Sequence, residues 1–212
     1  MQHEFWHNRW QSNQIGFHLG EANPLLVKYF PTLNLQQGAC VFMPLCGKSL
    51  DIHWLLAQGV CVVGVELSQI AVDALFADLN LTPALTKIGD LTRYSAKNID
   101  IFNGDFFALN AQILGKVDAV YDRAALVALP FEMRKTYTIH LATITQISPQ
   151  LMISFDYEQS QIDGPPFSVN AAEIAAHYAK NYQLNLLERV ELPGGIKGKC
   201  LAFEEVWHLS HQ

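Results

Sequence analysis

A doubly wound α/β domain, with a mostly parallel sheet covered by helices on both faces, is the fold class this sequence predicts. Three observations predict it. Residues 40–68 read as strand, glycine-bearing loop, helix and second strand closed by a carboxylate. Strand-like and helix-like runs then alternate along the chain. Two further apolar runs near the end suit a closing antiparallel pair.

The elements follow in order. Val41, Phe42 and Met43 form a short apolar run suited to a strand buried on both faces, which Pro44 and Gly47 break. Leu50, Trp54, Leu55 and Ala57 recur at helical spacing, Gly59 ends that helix, and 61–65 return to a β-branched run closed by Glu66. Residues 70–79 continue as a helix, whereas 80–98 are polar and irregular and read as an excursion before the next strand. Residues 100–102 lead into Gly104-Asp105-Phe106-Phe107, read as a short strand and a turn. Residues 117–121 suit another buried strand, ending in Asp122-Arg123. A helix over 131–147, a strand over 151–155, a helix over 171–181 and the antiparallel pair 184–192 and 201–208 complete the chain. No internal repeat, low-complexity tract or linker divides it, so one domain over 1–212 is expected.

Composition excludes several functional classes. With 212 residues, half of them hydrophobic, the chain can bury a full core. Its formal charge of -6 and the absence of a Lys/Arg cluster leave no footprint for a nucleic-acid backbone. No twenty-residue apolar run and no signal-like start exist, which predicts a cytoplasmic protein without a membrane partner. Cys40, Cys46, Cys61 and Cys200 lack a C-x-x-C spacing and read as reduced core thiols, with Cys46 the exception in a loop that faces ligand.

A right-handed crossover between parallel strands places the 44–49 loop and Glu66 on the same carboxyl edge of the sheet, where small ligands bind. A dinucleotide site wants three glycines in G-x-G-x-x-G, but this loop, P-L-C-G-K-S, has one. The Gly47-Lys48-Ser49 triplet imitates the end of a phosphate-binding loop, yet the first glycine of that motif would fall on Phe42. A nucleoside ligand without pyrophosphate remains, and S-adenosylmethionine is the common one. Glu66 would accept its ribose hydroxyls.

His3-Glu4-Phe5-Trp6-His7 matches the zinc-protease pattern H-E-x-x-H. It stands at the chain start, lacks the extended H-x-x-G-x-x-H, and offers only the distant Glu21 as third ligand, so no metal is expected. His18 reads either as a cleft residue or as a capping or core histidine, and the other histidines form no spaced cluster.

Five motifs in order resemble the thiopurine S-methyltransferase family, in its bacterial type, along nearly the whole chain. They are Trp6 and Trp10 before Gly16-Phe17-His18, then F-x-P-L-C-G-K at 42–48, V-V-G-V-E at 62–66, D-R-x-A-L-V-A at 122–128, and G-P-P-F-x-V at 164–169. The resemblance implies a Rossmann-like class I methyltransferase with a seven-stranded, mostly parallel sheet and an antiparallel last strand. It implies an N-terminal lid over 1–36 and a core over 37–212. Its cofactor contacts fall on Trp10, Leu45, Glu66, Asp105, Phe106 and Arg123, and its substrate contacts on Phe17 and Arg123. Arg123 would also stabilise an anionic acceptor. The implied reaction is methyl transfer from S-adenosyl-L-methionine, leaving S-adenosyl-L-homocysteine, to aromatic or heterocyclic thiols such as thiopurines, or to selenium or tellurium compounds.

The family's longer loop before the last strand is replaced here by the short 192–199 segment, so contacts from that loop do not transfer. For Arg123, an ion pair with Asp122 or another surface acid is the structural alternative. The alternative for the whole chain is an NAD- or nucleoside-binding Rossmann protein without methyl transfer. The expected partner is a small molecule and the expected state a monomer.

Overall fold

The computed structural model describes residues 3–16 and 18–211. Its strands are β1 (Cys40–Pro44), β2 (Cys61–Glu66), β3 (Ala84–Ile88), β4 (Leu91–Ala96), β5 (Ile99–Asn103), β6 (Ala119–Arg123), β7 (Gln150–Tyr157), β8 (Tyr182–Glu191) and β9 (Ala202–His211). They form one sheet in the order β3-β4-β5-β2-β1-β6-β7-β9-β8. The central run from β5 to β7 is parallel, β9 lies antiparallel to β7, and β8 antiparallel to β9.

Helices cover both faces, which is why the central strands are continuously apolar rather than alternating with polar residues. The helices are α1 (His3–Gln11), α2 (Pro24–Tyr29), α3 (Leu50–Ala57), α4 (Gln69–Asp78), α5 (Ala111–Leu114), α6 (Phe131–Ile144) and α7 (Ala171–Tyr178). Successive strand residues point to opposite faces and feed two cores. Val41, Val62 and Tyr121 pack with Leu26 of α2, Ile52 and Leu55 of α3 and Val72 of α4. Phe42, Val120 and Met152 pack with Tyr137 and Leu141 of α6 and Ile174 of α7. Side-chain caps fix the helix starts: Asn23 accepts from the Leu25 and Leu26 amides, Ser49 from Asp51 and Ser68 from Ala71.

The sheet has nine strands where seven were expected. The seven are present as β5-β2-β1-β6-β7-β9-β8, and the 80–98 stretch, read as an irregular excursion, adds the hairpin β3–β4 to the edge of β5. That hairpin escapes a periodicity argument because β3 is an edge strand exposed along most of its length and β4 buries only Leu91 and Tyr94. The short strand and turn read over 100–107 are present: β5 ends at Asn103, and Asp105 caps a 3₁₀ turn over Phe106–Ala108. The strand read at 117–121 runs two residues later, so Arg123 belongs to β6 itself. α6 stops at Ile144, short of 147, where Gln146 and Ile147 adopt left-handed backbone, and α7 stops at Tyr178, short of 181.

The N-terminal segment divides in two. Leu26 and Leu33 are buried in the core with Val41 and Ile52, so α2 is part of the body. α1 lies across the carboxyl edge of the sheet, where Trp10 is buried.

Candidate active site

The carboxyl ends of β1, β2, β5 and β6 open into a cavity of about 510 Å³ that α1 helps to close. Trp10, Leu45, Glu66, Asp105, Phe106 and Arg123 all line it. Phe17, the expected substrate contact, lies outside the described residues, while its neighbours Gly16 and His18 line the cavity. Burial and the nearby Lys48 charge push the His18 imidazole below its usual pKa.

The loop after β1 is shaped for close approach. Leu45 has φ +48 and Gly47 φ +54, left-handed backbone that costs a non-glycine residue about 1–3 kcal/mol. Ala124, directly after β6, repeats the conformation at φ +60, and all three residues line the cavity. A Cβ at Gly47 would stand 3.1 Å from Cζ2 of Trp10, so the indole rests on the glycine itself. Cys46 turns away from the reactive role left open for it. Burial beside Glu66 pushes its thiol well above the usual range, and a Cβ on Gly64 would meet its sulfur at 2.7 Å. It packs as a small apolar group.

Glu66 closes β2 with its carboxylate buried. Oε2 accepts from the Gly47 amide at 2.8 Å and Oε1 from the Ser68 amide at 2.7 Å, tying the loop of β1 to the start of α4. Burial raises its pKa and these amides oppose the rise. Each oxygen has engaged one donor and can accept another, so the pair suits two adjacent hydroxyls.

Asp105 spends Oδ1 on the Phe107 amide at 3.0 Å, and its Oδ2 lies 3.4 Å from Nε2 of His3. The zinc-like N-terminal pattern thus contributes a histidine to the cavity wall. Among the described residues no group of three His, Cys, Asp or Glu side chains could hold a metal. The Phe106 ring is buried, 4.9 Å from the Tyr137 ring centroid, and shows the cavity part of a residue that is chiefly core.

Arg123 and Asp122 diverge because neighbours in a strand face opposite sides. Asp122 does not pair with Arg123. It accepts from Tyr137 Oη at 2.7 Å and from the Leu126 amide at 3.1 Å, and burial lifts its pKa to about 6. Arg123 donates Nε to Asp51 Oδ2 at 2.7 Å and Nη2 to Ser49 Oγ at 3.2 Å. Asp51 is fully buried and also accepts from Tyr121 Oη at 3.0 Å and from the Asn23 amide at 2.7 Å. A fully desolvated acid, rather than a surface one, therefore fixes the guanidinium against the cavity.

Sequence reasoning missed Asp51, Ser49 and Glu204. Asp51 sits in the first turn of a helix, where an acid is ordinary, and Ser49 reads as that helix's cap. Glu204 is a cavity-lining acid on β9 in a run read only as a closing strand.

A parallel α/β sheet with an antiparallel final hairpin, a single-glycine loop after its first strand and an acid ending its second defines a class I S-adenosylmethionine-dependent methyltransferase. Solved structures agree in fold. The 1,6-didemethyltoxoflavin-N1-methyltransferase from Burkholderia thailandensis, crystallised with S-adenosylhomocysteine, superposes with a TM-score of 0.67 at 14% identity, covering 98% of this chain and 87% of that one. A SAM-dependent methyltransferase from Anabaena variabilis gives 0.64 at 16% identity, over 99% and 95%. The family model for thiopurine S-methyltransferase matches residues 1–208, and the chain belongs to that family. Thiopurine S-methyltransferases of Xanthobacter autotrophicus and Teredinibacter turnerae are 52% and 48% identical over 210 residues, covering 99% of this chain and 99% and 98% of theirs. The protein is a methyltransferase that uses S-adenosyl-L-methionine and acts on sulfur. The NAD-binding alternative is not favoured.

Proposed function

We propose that the protein methylates the sulfur of small aromatic or heterocyclic thiols, thiopurines among them, with Glu66 and Arg123 holding opposite parts of the cofactor. The observation that carries this reading is the convergence of a buried acid, a fixed guanidinium and an apolar wall in one cavity. Glu66 would take the ribose hydroxyls and Arg123 the amino-acid carboxylate, each a charge-assisted contact. Leu45 and the Trp10 ring would cover the apolar sides, while Asp105 and the Phe106 edge would flank the adenine.

When bound, the cofactor supplies a sulfonium methyl. What the chain must do is hold a soft nucleophile in line with it and keep water out. Along the sheet edge the order β5, β2, β1, β6, β7, β9 puts Asp105, Glu66 and Leu45 on one side of Arg123 and Phe155 and Glu204 on the other. The second side, with Pro165, Pro166, Leu192 and Ile196, is the acceptor end. Arg123 stands between the two and would favour a thiolate as well as the cofactor. The segment carrying Trp10 and Phe17 would act as the lid of a single domain.

The test is methyl transfer from labelled cofactor to a panel of aryl thiols, thiopurines, selenite, tellurite and small phenols. Sulfur acceptors, or selenium and tellurium species, are expected to dominate. Transfer confined to hydroxyl, amine or protein acceptors would overturn the proposal.

A further inference from the structure

Among the described residues, Glu204 is the one acid of the acceptor end, and S-methylation as proposed leaves it without a task. It lies near the start of β9, which runs antiparallel to β7, so this start stands at the carboxyl edge of the parallel strands. It is paired across the ladder with Phe155, and both line the cavity. Among the described residues its carboxylate makes no hydrogen bond and no ion pair. This contrasts with the next residue, Glu205, on the opposite face, which accepts from Arg189 at 3.1 Å and from the Trp207 indole at 3.2 Å.

We propose that Glu204 accepts the proton an un-ionised acceptor must lose, resting on the S-methylation reading of this site. The geometry is one of sides. β6 and β9 are separated only by β7, so Arg123 and Glu204 lie two strand spacings apart across the sheet, about 10 Å, and two residues apart along it, since Arg123 is level with Ile153 and Glu204 with Phe155. They feel each other's charge but form no contact. An acceptor lying between them would hold its sulfur near the cation with its S–H, or a ring N–H, directed toward the carboxylate. The step balances as follows. The acceptor's sulfur pair forms the new S–CH₃ bond, and the old bond's pair stays on the cofactor sulfur as a thioether. The acceptor's proton goes to a Glu204 oxygen and then to solvent.

The surroundings suit the task. Burial raises the Glu204 pKa and the Arg123 charge only partly opposes it, which brings the base closer to the thiol it must deprotonate. From the connection of β8 to β9, Lys197 lines the cavity. From the N-terminal segment His3, Arg9 and His18 do so, and from the loop after β1 Lys48, which is held at 3.3 Å by Asp78. Phe155 is the uncharged neighbour on β7, and Val190 the uncharged neighbour on β8.

The experiment compares wild type, Glu204→Gln and Glu204→Asp on two aryl thiols, one ionised at the assay pH and one not. For the un-ionised thiol kcat should fall by about 10²–10⁴-fold in Glu204→Gln. For the ionised thiol it should stay level or rise, since a negative charge facing a thiolate is removed. Glu204→Asp should recover part of the loss. A second measurement needs no turnover. With S-adenosylhomocysteine bound, the pKa of a chromophoric thiol in the site, read by absorbance, should be lower in Glu204→Gln than in wild type. Equal losses on both thiols, or an unchanged bound-thiol pKa, would overturn the inference while leaving S-methylation standing. A wild type that methylates no thiol at all would overturn the S-methylation reading and the inference with it.

Discussion

Glu66→Ala would leave the Gly47 and Ser68 amides without their acceptor and remove both oxygens facing the cavity. The expected loss of cofactor affinity is about 1–3 kcal/mol, with Glu66→Gln losing less because its amide oxygen still accepts. Calorimetry showing unchanged affinity in the alanine variant would remove Glu66 from the ribose position. Arg123→Ala should weaken the cofactor alike for every acceptor if the guanidinium serves mainly the cofactor carboxylate, an interaction common to ground and transition states. Arg123→Lys should restore only part, since an ammonium lacks the planar fork that meets Asp51 and Ser49 together. Kinetics equal to wild type in both variants would take Arg123 out of the site. Asp122 carries a pH signature. Its pKa rises from 3.8 unfolded to about 6 folded, so the folded state binds the extra proton. Its contribution is full below pH 3.8 and is lost as pH rises through about 6. Asp122→Asn keeps an acceptor for Tyr137 and removes the titration, so its stability relative to wild type should grow across that window in urea unfolding. A difference that stays constant with pH would contradict the burial of an ionisable Asp122. Glu66 and Arg123 were legible because each ends a strand within a recognisable motif. Asp51 was not, because its single-residue context is that of any helix start.

At the scale of elements, α1 is the piece whose order should depend on ligand. It carries Trp6 and Trp10 over the cavity, and beyond it Asn23 ties the chain to Asp51. Adding S-adenosylhomocysteine should shift tryptophan emission and slow protease cleavage before Glu21, because a terminal segment with few neighbours opens most readily. Equal protection with and without ligand would make α1 a fixed wall rather than a lid. The buried strands β1, β2 and β6 were legible from their apolar runs, as was the closing pair β8–β9. The hairpin β3–β4 was not. β3, exposed along most of its length, carries no alternation, and the pairing of β4 with β5 depends on backbone hydrogen bonds that leave little mark in side-chain pattern.

For the whole molecule, cofactor selectivity is measurable as stability. A ligand at a hundredfold excess over its dissociation constant adds about 2.7 kcal/mol, which for a chain of this size is a rise in Tm of roughly 5–10 °C. S-adenosylhomocysteine should produce it and NAD should not; a comparable rise with NAD would contradict the single-glycine loop's reading. That loop, the acid at the end of β2 and the order of elements were all determined locally, by apolar runs, a chain break at Pro44 and Gly47, and the motifs that identify the family. The tertiary structure alone decided which charges meet. Arg123 pairs with Asp51, 72 residues away, and not with the adjacent Asp122, while Glu204 enters the cavity and Glu205 leaves it. The reason is geometric: a strand sends neighbouring side chains to opposite faces, and the partner waiting on each face comes from a distant part of the chain that no local pattern announces.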